Sequence, residues 1–190
     1  KIKIFANVEL NPFYFNSNII LINKNFEFVV ENFFYFLLNL NPEYLGNING
    51  DLEVTLENLK NDIVNSGKIK ILIDDNKIEQ KESTFKIKNI GIIKSEFYFK
   101  EENNETQFIS ENILNIQNKK EFAKKFQLNT KRIKNIDNIQ FNLEKILFSK
   151  EIYLSKIKIN GKTIQKTNNQ IFKAKNLNEF KSIIRKILLN

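Results

Sequence analysis

The residue types that most often perform catalysis or bind metals are missing from this chain of 190 residues. It contains no His and no Cys, so the usual general base, the thiol nucleophile and the common zinc ligands are absent. No Ser lies in a Gly-x-Ser-x-Gly motif, and the five Gly are scattered rather than grouped in a phosphate-binding loop. These absences predict a protein that is not an enzyme and that uses no metal or cofactor.

Two acidic clusters could in principle do chemistry. Asp74-Asp75-Asn76 could begin a calcium loop, but the Gly and the bidentate Glu that such a loop needs later are missing. Glu101, Glu102 and Glu105 could supply paired carboxylates, but they lie in a polar stretch without an apolar pocket to raise a pKa. We interpret the first cluster as a hairpin turn and the second as a solvated turn.

Apolar and polar residues alternate over most of the region from Gly50 to Phe99. A period of two places one apolar face and one wet face on the same sheet. Further alternating stretches begin the chain and follow Phe99, and the pattern predicts strands near residues 1–10, 19–22, 51–58, 67–74, 83–89, 91–100, 106–116, 137–147 and 151–160. The predicted fold is mainly β with a few helices: a twisted, mostly antiparallel sheet forming a groove or half-barrel. No linker or repeat divides the chain, so one domain over residues 1–190 is expected.

Three segments have helical spacing instead. Residues 26–38 form a stripe that is apolar nearly all round and too short to cross a membrane, so this helix is expected to fill a core or a groove. Residues 119–126 predict a short helix. From Leu177 an amphipathic helix closes the chain, with Asn176 and Glu179 spaced as a capping box.

The closing helix has a basic face beside its apolar stripe. Lys181, Arg185 and Lys186 project away from the stripe and are candidate contacts to a membrane surface or a partner. We expect the helix to dock over the open end of the sheet, because a lone three-turn helix is marginal in water.

The apolar face of the strands allows two interpretations. It is either the core of a closed sheet or the lining of an open groove for acyl chains. The candidate lipid-binding residues, assigned to one face on the assumption of in-register pairing, are Ile69, Ile71, Ile73, Phe85, Ile87, Phe97 and Phe99.

Charge is distributed unevenly along the chain. Up to Asn118 there are 12 Lys against 17 acidic residues, and from Lys119 onward there are 18 Lys or Arg against 5 acidic residues. The basic part suits an anionic partner, either lipid headgroups or nucleic acid. Alternatively, the abundant Lys and Asn reflect the codon bias of an AT-rich genome. Arg is nearly absent and no RNA-binding signature is present, so we do not expect nucleic acid as the partner.

Seven segments, in order along the chain, carry a resemblance to a known family. They are VELNPF from Val8, LNPEYL from Leu40, GDLEVTLENL from Gly50, GKIKILI from Gly67, FKIKNIG from Phe85, FAKKFQL from Phe122 and IKING from Ile157. This order resembles the C-terminal region of AsmA-like proteins, in the version found in SAR11-type alphaproteobacteria. The similarity covers nearly all of the chain and includes no catalytic signature.

The resemblance implies a long, curved β-sheet with a hydrophobic concave face, of which residues 1–190 are the C-terminal section. It implies a periplasmic protein tethered to the inner membrane through an N-terminal segment that this chain does not include, and the absence of Met predicts that a longer product exists. The implied function is non-enzymatic phospholipid transport and outer-membrane biogenesis, with acyl chains and an outer-membrane-assembly protein as partners. The alternative is a structural end-cap of a β-sheet, or a protein-interaction module, whose apolar face is filled by its own helices. A basic nucleic-acid-binding β domain is a less favoured alternative.

Overall fold

The computed structural model describes residues 1–11, 13–25, 29, 32, 49–60, 63–74, 77–102, 105–146, 149, 151–163 and 170–189. The fold is mainly β, with twisted, open and mostly antiparallel sheet and a helix at the C-terminus, as the sequence predicts. The chain forms two compact units, residues 1–88 and 89–190. The single domain expected from the sequence stays a prediction.

Unit 1 is a sheet of five strands whose spatial order follows the chain. They are β1 (Ile2–Leu10), β2 (Phe13–Ile22), β3 (Asn49–Glu57), β4 (Val64–Asp74) and β5 (Lys77–Ile87). β2 and β3 are parallel, and the other neighbours are antiparallel. A parallel pair needs a long crossover connection, and the helix predicted over residues 26–38 falls in this connection. That helix lies outside the described residues except for Val29 and Asn32.

The core of unit 1 lies on one face of β3 and β4. Leu52 is opposite Ile71, and Val54 is opposite Ile69; all four side chains are buried. The odd-numbered residues of β3 face the other side and are half-buried or exposed. The period of two in the sequence therefore becomes one dry and one wetter face, as predicted.

The described residues of unit 2 form six strands and two helices. In chain order these are β6 (Gly91–Glu102), β7 (Glu105–Ile116), α1 (Lys119–Phe126), β8 (Asn138–Ile146), β9 (Ile152–Ile159), β10 (Lys162–Thr163), β11 (Phe172–Ala174) and α2 (Leu177–Leu189). Strands β6 to β9 pair antiparallel in sequence order, and both β10 and β11 pair with β9. Asn160 and Gly161 both have positive φ, 48° and 76°, which is the turn that the Asn-Gly pair predicts between β9 and β10.

Both helices of unit 2 begin with an Asn cap. In α1 the Asn118 side chain accepts a hydrogen bond from the Glu121 backbone N–H, at 3.1 Å. In α2 the Asn176 side chain accepts from the Glu179 N–H at 3.0 Å, and the Glu179 carboxylate accepts from the Lys175 N–H at 2.8 Å. The capping box predicted for the last helix is confirmed, with the return bond falling one residue before the cap.

The largest differences from the predicted strands are the starts of β2 and β5. The sequence placed these starts near residues 19 and 83, whereas the strands begin at Phe13 and Lys77. The polar run Glu79-Gln80-Lys81-Glu82 hides the period, but pairing with β4 holds these residues in the sheet. Residues 75 and 76 of the predicted acidic turn and residues 103 and 104 of the predicted Glu-rich turn lie outside the described residues.

Candidate functional site

Five of the seven predicted lipid-binding residues lie in unit 1 and share the core face of the sheet. Ile69, Ile71, Ile73 and Ile87 are buried, and Ile71 is only 1% exposed. Phe85 is half-buried and pairs with Gly67. A Cβ at Gly67 would come 2.6 Å from a ring carbon of Phe85, so the ring covers this glycine and extends the apolar face to β5.

The other two predicted residues lie in unit 2. Phe97 is buried, and its ring centroid is 5.4 Å from that of Phe108 on the neighbouring strand β7. Phe99 belongs to β6, but its side chain lies outside the described part of the protein. The structure thus brings five candidates together in one unit and two in the other, and a single face carrying all seven stays a prediction.

Burial changes what these residues can do. Ile69, Ile71, Ile73 and Ile87 are covered by the protein itself, so they stabilise the fold in this conformation. An acyl chain would reach them only if the cover moved away.

The exposed part of the same apolar face is the edge strand β1. Ile2, Ile4, Val8 and Leu10 are 55%, 66%, 53% and 80% exposed. These side chains are in register with β2, where Ile4 is opposite Ile19 and Val8 is opposite Phe15. Phe15 in turn pairs with Gly50 of β3 and covers it. A row of apolar side chains therefore runs from the buried core of unit 1 out to an uncovered edge.

No residue of β1 was among the predicted lipid-binding residues. Its alternation of Ile2, Ile4, Ala6, Val8 and Leu10 is as regular as that of the buried strands. Only the position of β1 at the end of the strand order leaves these side chains uncovered. The alternation predicts that β1 is a strand, but it does not show which strand forms the edge of the sheet.

The opposite face of unit 1 is a network of polar cross-strand pairs. The Tyr14 hydroxyl donates a hydrogen bond to the Asp51 carboxylate, which raises the pKa of Tyr14 above its ordinary value. Lys68 and Glu53 form an ion pair of 2.7 Å. These contacts join β2, β3 and β4, and cross-strand pairs of this kind stabilise a sheet.

A second polar cluster holds β11 against β9 in unit 2. Lys173 forms an ion pair of 2.7 Å with Glu151, and the Tyr153 hydroxyl donates to the same carboxylate at 2.8 Å. The hydrogen bond from Lys173 lowers the pKa of Glu151, and the pKa values of Lys173 and Tyr153 are both raised, chiefly by their bonds to Glu151. The ion pair thus holds the short strand β11, which leads directly into α2.

The predicted basic contacts of the last helix do not all face solvent. Arg185 donates a hydrogen bond of 2.8 Å to the side chain of Gln127, which caps the C-terminus of α1. Lys181 is half-buried, and Lys186 is exposed. Of the three, Lys186 is therefore the most accessible to a membrane or a partner in this conformation.

The apolar stripe of α2 packs on the sheet of unit 2. Ile184 and Ile187 are buried, and the ring of Phe180 lies edge-on to that of Phe141 in β8, with centroids 6.1 Å apart. The helix therefore packs on the sheet through β8, and docking over its open end stays a prediction.

Side chains that could bind a metal do not cluster in the described ranges. Within them, no group of three or more acidic side chains is placed to hold a metal ion. Glu105 is exposed, while the side chains of Glu101 and Glu102 are outside the described set. Among the helices that the structure describes, none is long and apolar enough to cross a membrane.

Comparison with known proteins leaves the family open. No protein-family model matches the chain, and neither the curated proteins nor the solved structures contain a match.

Proposed function

We propose that this chain is a non-enzymatic lipid-binding section of a larger protein, and that acyl chains contact the apolar face of β1 and β2. The observation that supports this most directly is the row of exposed side chains Ile2, Ile4, Val8 and Leu10. This row continues the buried apolar face of unit 1. Contiguous exposed apolar surface on a protein marks a binding site more often than chance.

The dimensions of the row suit an acyl chain. Ile2 and Leu10 are eight residues apart, and at about 3.4 Å per residue the row is about 27 Å long. One leaflet contributes roughly 15 Å to the hydrocarbon core of a bilayer, so the row is long enough for one extended tail. Each methylene removed from water contributes about 0.8 kcal/mol, and no directional contact is required.

The cellular role follows from the resemblance to AsmA-like proteins. On this basis we propose a periplasmic protein, tethered to the inner membrane through a preceding segment, that takes part in phospholipid transport and outer-membrane biogenesis. In this role α2 lies near a membrane or an outer-membrane-assembly partner, with Lys186 the most accessible of the three basic residues. Nucleic acid is not part of the proposal.

A second candidate is a structural end-cap or protein-interaction module. It is favoured by the burial of Ile69, Ile71 and Ile73 in unit 1, and by the packing of Phe180 on Phe141 in unit 2. In this case the apolar faces are cores and no lipid is carried.

Lipid extraction from the purified protein, followed by mass spectrometry, separates the two candidates. We expect phospholipid with the wild type and its loss in Val8→Asp, because a charge in the row opposes an acyl chain. Asn7→Asp is the matched control, since it lies on the same exposed strand and faces the opposite side. Circular dichroism should be the same for all three proteins.

Two outcomes would contradict lipid binding at β1. One is wild-type protein that never retains phospholipid, which would favour the end-cap. The other is equal retention by Val8→Asp and Asn7→Asp, which would place the lipid elsewhere. Ile71→Asp is expected to unfold unit 1 under either candidate, because this side chain is buried in the core.

A further inference from the structure

The outer edge of β1 carries unpaired main-chain groups. Lys1 and Ile22 exchange two hydrogen bonds, of 2.9 and 3.1 Å, at the start of the β1–β2 ladder. In an antiparallel ladder the bonded residues alternate, so the odd-numbered residues of β1 bond to β2. The N–H and C=O groups of the even-numbered residues, from Ile2 to Leu10, point away from β2. Among the described strands none pairs with this edge.

Two features that usually prevent strand addition, a bulge and a Pro, are absent from β1. The register runs without a bulge from Ile2 opposite Leu21 to Leu10 opposite Phe13. β1 contains no Pro, and all nine of its residues are exposed. Natural sheets normally protect an edge with charges, bulges, Pro or a covering segment. A long edge whose charged residues are Lys3 and Glu9 is a template for a strand with complementary charges.

We propose that β1 pairs antiparallel with β1 of a second copy of this chain, about a two-fold axis at Ala6. In this register Ile2 meets Leu10, and Ile4 meets Val8. The even-numbered residues then form the hydrogen-bonded pairs, about ten bonds in all. The apolar rows of the two copies lie on the same side and join into one longer face.

Charge complementarity and full overlap of the two strands together select this register. Lys3 of each copy stands opposite Glu9 of the other, so two pairs of opposite charge form across the axis. They fall at positions without main-chain bonds, where the side chains of an antiparallel pair are closest. A shift of one residue would place even-numbered residues opposite odd-numbered residues, whose main-chain groups already bond to β2. A shift of two would leave an end of the nine-residue strand without a partner.

The pairing goes beyond the proposed function and does not depend on lipid. It uses the main chain of β1 and the side chains of Lys3 and Glu9, whereas an acyl chain would contact the even-numbered side chains. The two ideas can therefore fail separately.

Sedimentation equilibrium tests the pairing. The wild type should give twice the chain mass of 22.5 kDa. Lys3→Glu and Glu9→Lys should each weaken the dimer about tenfold or more, because each replaces two attractive pairs by two repulsive ones. A mixture of the two variants should form a heterodimer, since both of its cross-axis pairs are again of opposite sign.

Ala6→Pro provides an independent test of the edge. The Ala6 N–H points outward, so Pro removes a bond at the new interface without removing one between β1 and β2. We expect a monomer with the circular dichroism of the wild type; if this variant unfolds, the charge variants still decide the matter.

Three results would overturn the proposal. The first is a wild type that stays monomeric at every concentration reached, which would leave the edge to another strand, either of a preceding segment or of a different protein. The second is a dimer that Lys3→Glu does not weaken. The third is a mixture of Lys3→Glu and Glu9→Lys that stays monomeric. Phospholipid recovered from monomeric protein would overturn the pairing while leaving the lipid proposal in place.

Discussion

Truncating Ile184 should destabilise the protein strongly, because this side chain of α2 is buried. Ile184 is 3% exposed, and replacing a buried Ile by Ala typically costs about 2–5 kcal/mol. The whole free energy of unfolding of a domain is only about 5–15 kcal/mol. At about 2–4 °C per kcal/mol for a chain of this size, Ile184→Ala should lower the Tm by about 4–20 °C.

Thermal unfolding followed by far-UV circular dichroism is the suitable assay, since the chain contains no Trp to report by fluorescence. Lys186→Ala is the matched control, because it lies on the same helix and is exposed. Its effect should stay within about 0.5 kcal/mol, as for most surface substitutions. Deletion of residues 176–190 should lower the Tm at least as much as Ile184→Ala.

Equal Tm values for Ile184→Ala and Lys186→Ala would contradict this prediction. It would also be refuted if the deletion left the Tm unchanged and abolished binding to anionic liposomes. In that case the buried stripe would not contribute to stability, and α2 would be a membrane contact rather than part of the folded core.

Two further predictions concern the start of α2 and the polar cluster beside it. Asn176→Ala should cost about 0.5–2 kcal/mol through loss of the helix cap, whereas Asn178→Ala, two residues further along and exposed, should have little effect; equal shifts in Tm would argue against the cap. The Glu151–Lys173 pair should make stability depend on pH. The pKa of Glu151 in the folded protein is lowered from 4.5. The ionised Glu151 therefore stabilises the fold above pH 4.5, and this stabilisation is lost as the pH falls through the lowered pKa. The pKa of Lys173 is raised from 10.5, so its contribution is present below that value and is lost at more alkaline pH. Unfolding titrations of the wild type and Glu151→Gln should therefore converge at acid pH; a constant gap down to pH values well below 4.5 would disprove the coupling.

The resemblance of β1 to β3 in sequence shows how far pattern reasoning extends. Ile2, Ile4 and Val8 alternate with polar residues in the same way as Leu52, Val54 and Leu56. Both patterns predicted strands, and both strands are present. The first set is exposed and the second is buried; β1 lies at the end of the strand order, and β3 lies inside it. Burial depends on elements distant in the sequence, which a period of two does not describe.

The candidate site shows the same division. The strand register that places Ile69 and Ile71 on the face of Leu52 and Val54 agrees with the sequence pattern. Their burial, which makes them core residues in this conformation, does not follow from that pattern. The start of β5 at Lys77 was also hidden, because Glu79 and Lys81 are kept in the strand by pairing with β4 rather than by their own preference.

The local structure of this protein follows from its sequence alone. This includes the β class, most strand positions, both described helices, the Asn160-Gly161 turn and the cap at Asn176. These are decided within a few residues, by side-chain alternation, hydrogen bonding of a cap and the backbone freedom of a turn. Three features depend on contacts between distant segments and could not be predicted. They are the parallel pairing of β2 and β3, the position of α2 on β8 through Phe180, and the exposure of the apolar row of β1. The physical reason is that burial and strand order are set by contacts between segments far apart in the chain, whereas a periodic pattern records only the orientation of each side chain relative to its neighbours.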